Sequence, residues 1–211
     1  MSDNLVPFWD EITNPELFRR VKSNADYIKL SLKEVFEDRG IDIKDLTKIM
    51  EALPEGAIVA GGYLCGLFAG EESKDIDIFF TCSDALVETI EAITGHRTDP
   101  EHVFFGYETK TNIDGMFEEP NYSKSIRVLD YINKYTQSKP KIQLVKSIWY
   151  DDPQHIIDTF DFTVAQFATD GKFLYANPTS FIDLSRKRLV LHRMTFPAST
   201  LRRLIKYANK G

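Results

Sequence analysis

Apolar residues recur at Leu17, Val21, Ala25, Ile28, Leu32 and Val35, a spacing that predicts a helix. Asn14 and Pro15 supply an N-cap and a first helical position, and Gly40 a stop, so this helix spans residues 14–38. A shorter helix follows over 43–52, and Pro54-Glu55-Gly56 makes a turn. Ala57-Ile58-Val59-Ala60 reads as a short apolar strand, broken by Gly61-Gly62. Residues 63–69 form a helix closed by Gly70, and 75–81 a second strand. Ser83 caps a helix carrying Leu86, Val87, Ile90 and Ile93, which ends at Gly95. Between residues 96 and 122 the pattern weakens into a polar excursion. Residues 126–131 and 141–146 form a hairpin, and 153–160 a short helix. Residues 162–168 and 172–176 flank Thr169-Asp170-Gly171, a hairpin signal. Helices over 178–185 and 198–209 follow. The whole is a mixed α/β chain with mostly short strands.

Composition narrows the class. With 211 residues, 43% of them hydrophobic, the chain fits one globular domain with a helical extension. No apolar run nears the roughly 20 residues of a membrane span. The first seven residues carry no basic patch and no apolar segment, so no secretory signal is expected. Cys65 and Cys82 show neither CxxC nor metal-site spacing. They read as reduced thiols of a cytoplasmic protein, which excludes a structural zinc site and a disulfide scaffold. Charge adds an asymmetry. The net charge is -6, yet residues 185–211 hold eight basic residues and no acidic one, leaving -14 on the rest. Such a basic segment suits an anionic partner.

The candidate chemistry centres on Lys74-Asp75-Ile76-Asp77-Ile78-Phe79. Strand periodicity puts Asp75 and Asp77 on one face and Ile76 and Ile78 on the other. Two like charges on one strand face are costly unless a cation sits between them. Mg²⁺ or Mn²⁺, which take hard oxygen ligands and leave room for phosphates, fit that place. Two such ions, about 3.5–4 Å apart, would support in-line nucleotidyl transfer. Gly61-Gly62 at a strand-to-helix turn lets a phosphate approach backbone N–H groups. There is no P-loop motif.

These residues resemble a known family. Gly61-Gly62, then Gly70-Glu71, then Asp75-x-Asp77 is similar to the signature of the nucleotidyltransferase superfamily that includes DNA polymerase beta. Asp161-Phe162-Thr163-Val164-Ala165-Gln166-Phe167-Ala168, with Asp170-Gly171-Lys172, resembles the "RRDFTINALAYDGK" region of class II CCA-adding enzymes and bacterial poly(A) polymerases. Asn177-Pro178, with Phe181-Ile182-Asp183-Leu184, resembles their "DPFGGxxDL". Leu201-Arg202-Arg203-Leu204-Ile205-Lys206-Tyr207-Ala208 resembles their "LLRAVRFA" helix. The resemblance covers residues 56–82 and 141–211. It implies a polymerase-beta-like head over 56–195, a mixed short-stranded sheet flanked by helices. Residues 1–55 would be a helical extension and 196–211 a basic helix packed on the head.

The departures from the family are specific. Its Arg-Asp after the glycine pair falls at Cys65 and Gly66, and its Arg-Arg before DFT at Thr159 and Phe160. Its base-selecting EDxxR falls near Phe196-Pro197-Ala198-Ser199-Thr200 and is missing. The matching region stops where that family's tRNA-gripping domains begin. The resemblance implies transfer of an NMP from an NTP to an acceptor hydroxyl, with an RNA 3′ end such as that of tRNA expected. Asp75 and Asp77 would hold the metal, Gly61, Gly62, Ser73 and Lys74 would contact the nucleotide, and Arg203 and Lys206 would neutralise phosphate. For a third carboxylate, Asp161 is favoured for its place in a matching motif; Asp130 is the alternative, and Gln143 stands on the neighbouring strand. A protein or small-molecule acceptor, or a non-enzymatic nucleotide- or RNA-binding module, are the other readings.

Overall fold

The computed structural model describes residues 27–94, 128–131, 141–145, 149–194 and 196–209. The expected polar excursion at 96–122 lies outside them. Strands β1 (Ile28–Ser31), β2 (Ala57–Ala60), β3 (Asp75–Phe80), β4 (Val128–Tyr131), β5 (Lys141–Val145), β6 (Phe167–Thr169) and β7 (Phe173–Ala176) form one sheet. Their order is β1-β7-β6-β2-β3-β5-β4. Only the β3–β5 pair is parallel among them. Helices α1 (Leu32–Glu37), α2 (Lys44–Ala52), α3 (Gly62–Ala69), α4 (Ser83–Thr94), α5 (Pro153–Asp158), α6 (Ser180–Ser185) and α7 (Pro197–Ala208) surround it.

Strand alternation sorts the core onto two faces. Val59, Ile76, Ile78 and Phe80 pack with Phe36, Leu46, Ile49, Leu64 and Leu86 from α1 to α4. Ile58, Ala60 and Phe79 pack on the other face with Ile156 and Ile157 of α5 and with Tyr150. Asp75 and Asp77 share the Phe79 face, beyond the stretch that α5 covers. Aromatic contacts tie the helices of the first face together. Phe68 stacks on Phe36 at 4.6 Å and meets Phe181 edge-on at 5.2 Å.

The N-terminal part departs from expectation. A helix over 14–38 was predicted, but Ile28–Ser31 is a strand, paired antiparallel with β7 from Ile28↔Ala176 to Ser31↔Phe173. Only then does α1 begin, capped by Ser31, whose hydroxyl accepts the Glu34 N–H. Ile28 fits a helical spacing to Ala25 and Leu32 and equally a strand alternation with Leu30, and the partner that decides between them lies about 145 residues downstream. Phe36, Leu46 and Ile49 are each 0% exposed in the central cluster, so residues 28–52 share the sheet and core of the head. The expected strand over 162–168 also shortens. Thr163–Ala165 is a 3₁₀ turn, and β6 starts at Phe167.

Candidate active site

The β2–β3 register builds the centre of the site. Ala60 stands opposite Asp77, so the chain leaving β2 turns through Gly61-Gly62 beside the two carboxylates. Gly61 has φ +86, a left-handed conformation that favours glycine. Its N–H donates to the Phe167 carbonyl at 2.8 Å, locking the turn against β6. α3 then starts at Gly62, where the first-turn N–H groups lack intrahelical acceptors. Gly70 ends it in the αL conformation, its N–H donating to the carbonyls of Gly66 and Leu67.

Asp75 and Asp77 are partly exposed, while Ile76 and Ile78 between and after them are fully buried. Both aspartates line a cleft of about 830 Å³, together with Gly62, Ser73, Lys74 and Lys206. The Ser73 hydroxyl donates to the Asp75 carbonyl at 3.0 Å and fixes the approach to β3. Across the sheet, Gln143 of β5 stands opposite Asp77, and Asp130 of β4 stands opposite Gln143. No group of three or more His, Cys, Asp or Glu side chains suited to a metal occurs among the described residues. The two β3 carboxylates are an all-oxygen pair facing a cleft, a donor set that fits Mg²⁺ or Mn²⁺ with phosphate and water completing the coordination.

Asp161 sits elsewhere. It is 3% exposed and its carboxylate accepts from Arg203 Nη1 in a charge-assisted bond. Its carbonyl accepts the N–H groups of His192 and Arg193 at 2.7 and 3.2 Å. Neither Asp161 nor Arg203 belongs to the cleft lining, whereas Lys206 and Tyr207, one turn further along α7, do. The Arg203–Asp161 pair therefore fixes α7 so that Lys206 and Tyr207 reach the site. Burial raises the Tyr207 phenol well above its ordinary range, and the neighbouring Cys65, Asp77 and Asp161 add to the rise while Arg203 opposes it. Tyr207 stays a neutral O–H donor.

Arg188 and Arg39 also line the cleft, and neither was singled out by sequence reasoning. Asp183, 1% exposed, accepts Arg188 Nε at 3.0 Å and also Nη2, while the Thr163 hydroxyl donates to its other oxygen at 2.7 Å. Burial alone would raise the Asp183 carboxyl, but the Thr163 hydroxyl and Arg188 outweigh it and hold it below the ordinary value of 3.8. Arg188 could have been suspected from the basic segment. Nothing in the sequence marked Arg39, which follows α1.

Comparison with known proteins agrees with this geometry at the level of fold. The chain is similar to solved CCA-adding enzymes. With the Thermotoga maritima enzyme complexed with tRNA it shares 14% identity and a TM-score of 0.53, over 85% of this chain and 41% of that one. With a CCA-adding enzyme in complex with ATP the values are 15% and 0.55, over 85% and 41%. The mixed α/β fold is thus that of the nucleotidyltransferase head of those enzymes. At the level of sequence, the family model described as Gabija anti-defense 2 family protein matches residues 26–187. A protein of Bacillus phage SPbetaL7, "Gabija anti-defense 2", is 26% identical over a 170-residue alignment that covers 77% of this chain and 36% of that protein. The chain therefore spans about a third of that relative's length. No helix among the described residues is long and apolar enough to cross a membrane.

Proposed function

This chain belongs to the Gabija anti-defense 2 family, and we propose that it is a nucleotidyltransferase that moves an NMP from an NTP to an acceptor hydroxyl. The observation that carries this reading is one cleft that joins Asp75 and Asp77, the start of α3 at Gly62, and Lys74 and Lys206. The fold shared with CCA-adding enzymes supports it.

Asp75 and Asp77 would hold Mg²⁺ or Mn²⁺, which when bound lowers the pKa of an acceptor hydroxyl and offsets triphosphate charge. The protein's own groups do the rest. The first-turn N–H groups of α3 receive phosphate oxygens, favoured by the helix dipole. Lys74 and Lys206 neutralise the triphosphate, and Tyr207 donates a hydrogen bond without adding charge. The acceptor hydroxyl gives up its proton to solvent, its oxygen attacks the α-phosphorus, the bond from that phosphorus to the α,β-bridging oxygen breaks, and pyrophosphate leaves with the electron pair. Arg203 acts at a distance from this chemistry by tying α7 to Asp161.

The acceptor in this proposal is an RNA 3′ end, which the basic C-terminal segment suits. One observation favours a second acceptor. The family and its phage relative carry an anti-defence name, which supports transfer onto a component of the Gabija system. The test is incubation of the full chain with each α-labelled NTP, Mg²⁺ or Mn²⁺, and either total RNA or purified Gabija proteins, with the Asp75→Ala/Asp77→Ala variant as control. Label on a discrete RNA, from the wild type alone, supports the first acceptor. Label on a Gabija protein supports the second. No transfer with either would overturn the enzymatic reading.

A further inference from the structure

The two ends of the cleft differ in chemistry. Gly62, Asp75 and Asp77 mark one end. Phe68, Phe181 and Arg39 stand along the same cleft. Six residues of α3 separate Gly62 from Phe68, about 9 Å at 1.5 Å per residue. That is a span a nucleotide bridges from phosphate to base. Aromatic rings suit a base and not a phosphate.

Arg39 is the polar group of this second end, and it is held in place. Its guanidinium carbon lies 5.2 Å from the Phe181 ring centre and 5.8 Å from that of Phe68, a cation–π arrangement. Its Nη1 donates to the Val35 carbonyl at 3.1 Å. The side chain is solvent-exposed, so the opposite edge, Nε and Nη2, is open to solvent and to a ligand. That edge is a planar pair of donors. It matches two adjacent acceptors on a base, as O6 and N7 of guanine present them, and it opposes the amino group that adenine places there.

We infer that Arg39 is a specificity-determining residue that selects a guanine nucleotide at the Phe68–Phe181 end of the cleft. The inference rests on the reading that an NTP occupies this cleft. The selecting group comes from the chain following α1, a helix that shares the core of the sheet.

The test is equilibrium binding of GTP, ATP, CTP, UTP and inorganic tripolyphosphate to the full chain, as wild type, Arg39→Ala and Arg39→Lys. Wild type should bind GTP about 10-fold or more tighter than ATP. Both variants should lose that preference, since lysine keeps the charge but not the fork. Tripolyphosphate, which has no base, should bind wild type and variants alike. Equal affinity for the four NTPs, a preference for ATP, or a GTP preference that survives Arg39→Ala would overturn the inference. So would an equal loss of tripolyphosphate affinity in Arg39→Ala, which would make Arg39 a phosphate ligand. Absence of binding by any NTP overturns this inference and the proposed function together. GTP preference without transfer to any acceptor supports this inference and overturns the proposed function alone.

Discussion

Two sets of aspartates in this molecule have opposite surroundings. Asp75 and Asp77 stand on a strand, partly exposed, and face an open cleft. Asp161 and Asp183 are 3% and 1% exposed and are engaged by Arg203 and Arg188. A buried carboxylate needs a partner to exist as a charge, so the second pair serves as anchors for α7 and for the chain after α6. Carboxylates repeated on one face of a strand with room in front of them contribute little to holding the fold together, and their placement makes sense as chemistry. Exposure, more than residue type, separates the candidate site aspartates from the anchoring ones.

The largest effect should come from the cleft pair. Asp77→Ala should lower transfer by roughly 10³-fold, the scale of losing charge stabilisation in the transition state. Its melting temperature should stay within a few degrees of wild type. A variant that melts much earlier would make Asp77 another anchor and erase the distinction. NTP should stabilise wild type more with Mg²⁺ than without, and Asp75→Ala/Asp77→Ala should lose that increment in a thermal-shift titration.

The anchors should behave in reverse. Arg203→Ala leaves Asp161 charged and buried, and should cost about 2 kcal/mol in denaturant unfolding. That is below the buried-pair range of about 3–5 kcal/mol, since Arg203 itself is 54% exposed. It should lower transfer through misplacement of Lys206 and Tyr207, and Arg203→Lys should restore part of it. Unchanged stability would show that α7 is held by other contacts. Gly61→Ala should cost on the order of 1 kcal/mol, because φ +86 strains any L side chain, while the added carbon makes only ordinary van der Waals contact with Phe160 at 3.5 Å.

The smallest effect is a pH slope. Asp183 is held below its ordinary value, so it contributes stability above the unfolded value of 3.8 and loses that contribution as pH falls through the lower folded value. Asp183→Asn should flatten the acid limb of a stability–pH curve and leave the neutral region's slope unchanged. An acid limb as steep as that of the wild type would assign the slope to other carboxylates.

Much of this was legible in local patterns. The β3 aspartates, the Gly61-Gly62 turn, the Asp170-Gly171 hairpin and the helix ending at Gly70 each depend on near neighbours, so the chain itself states them. Lys206 was expected from the resemblance of its helix, while Tyr207, which also lines the cleft, was not singled out. The role expected of Asp161 did not follow from its motif, because its partner Arg203 lies 42 residues away. Ile28–Ser31 looked helical because an apolar spacing of three and four also tolerates a strand once β7 offers an edge.

The sequence by itself determined the periodicities, the turn glycines and the paired carboxylates, since these are short-range consequences of backbone geometry and side-chain type. Tertiary structure alone decided which aspartates are buried against arginines and that Arg39 enters the cleft. It also set Arg39 against Phe68 and Phe181, far from it in the chain. Those outcomes depend on which distant surfaces pack together, and on the cost of leaving a charge buried without a partner.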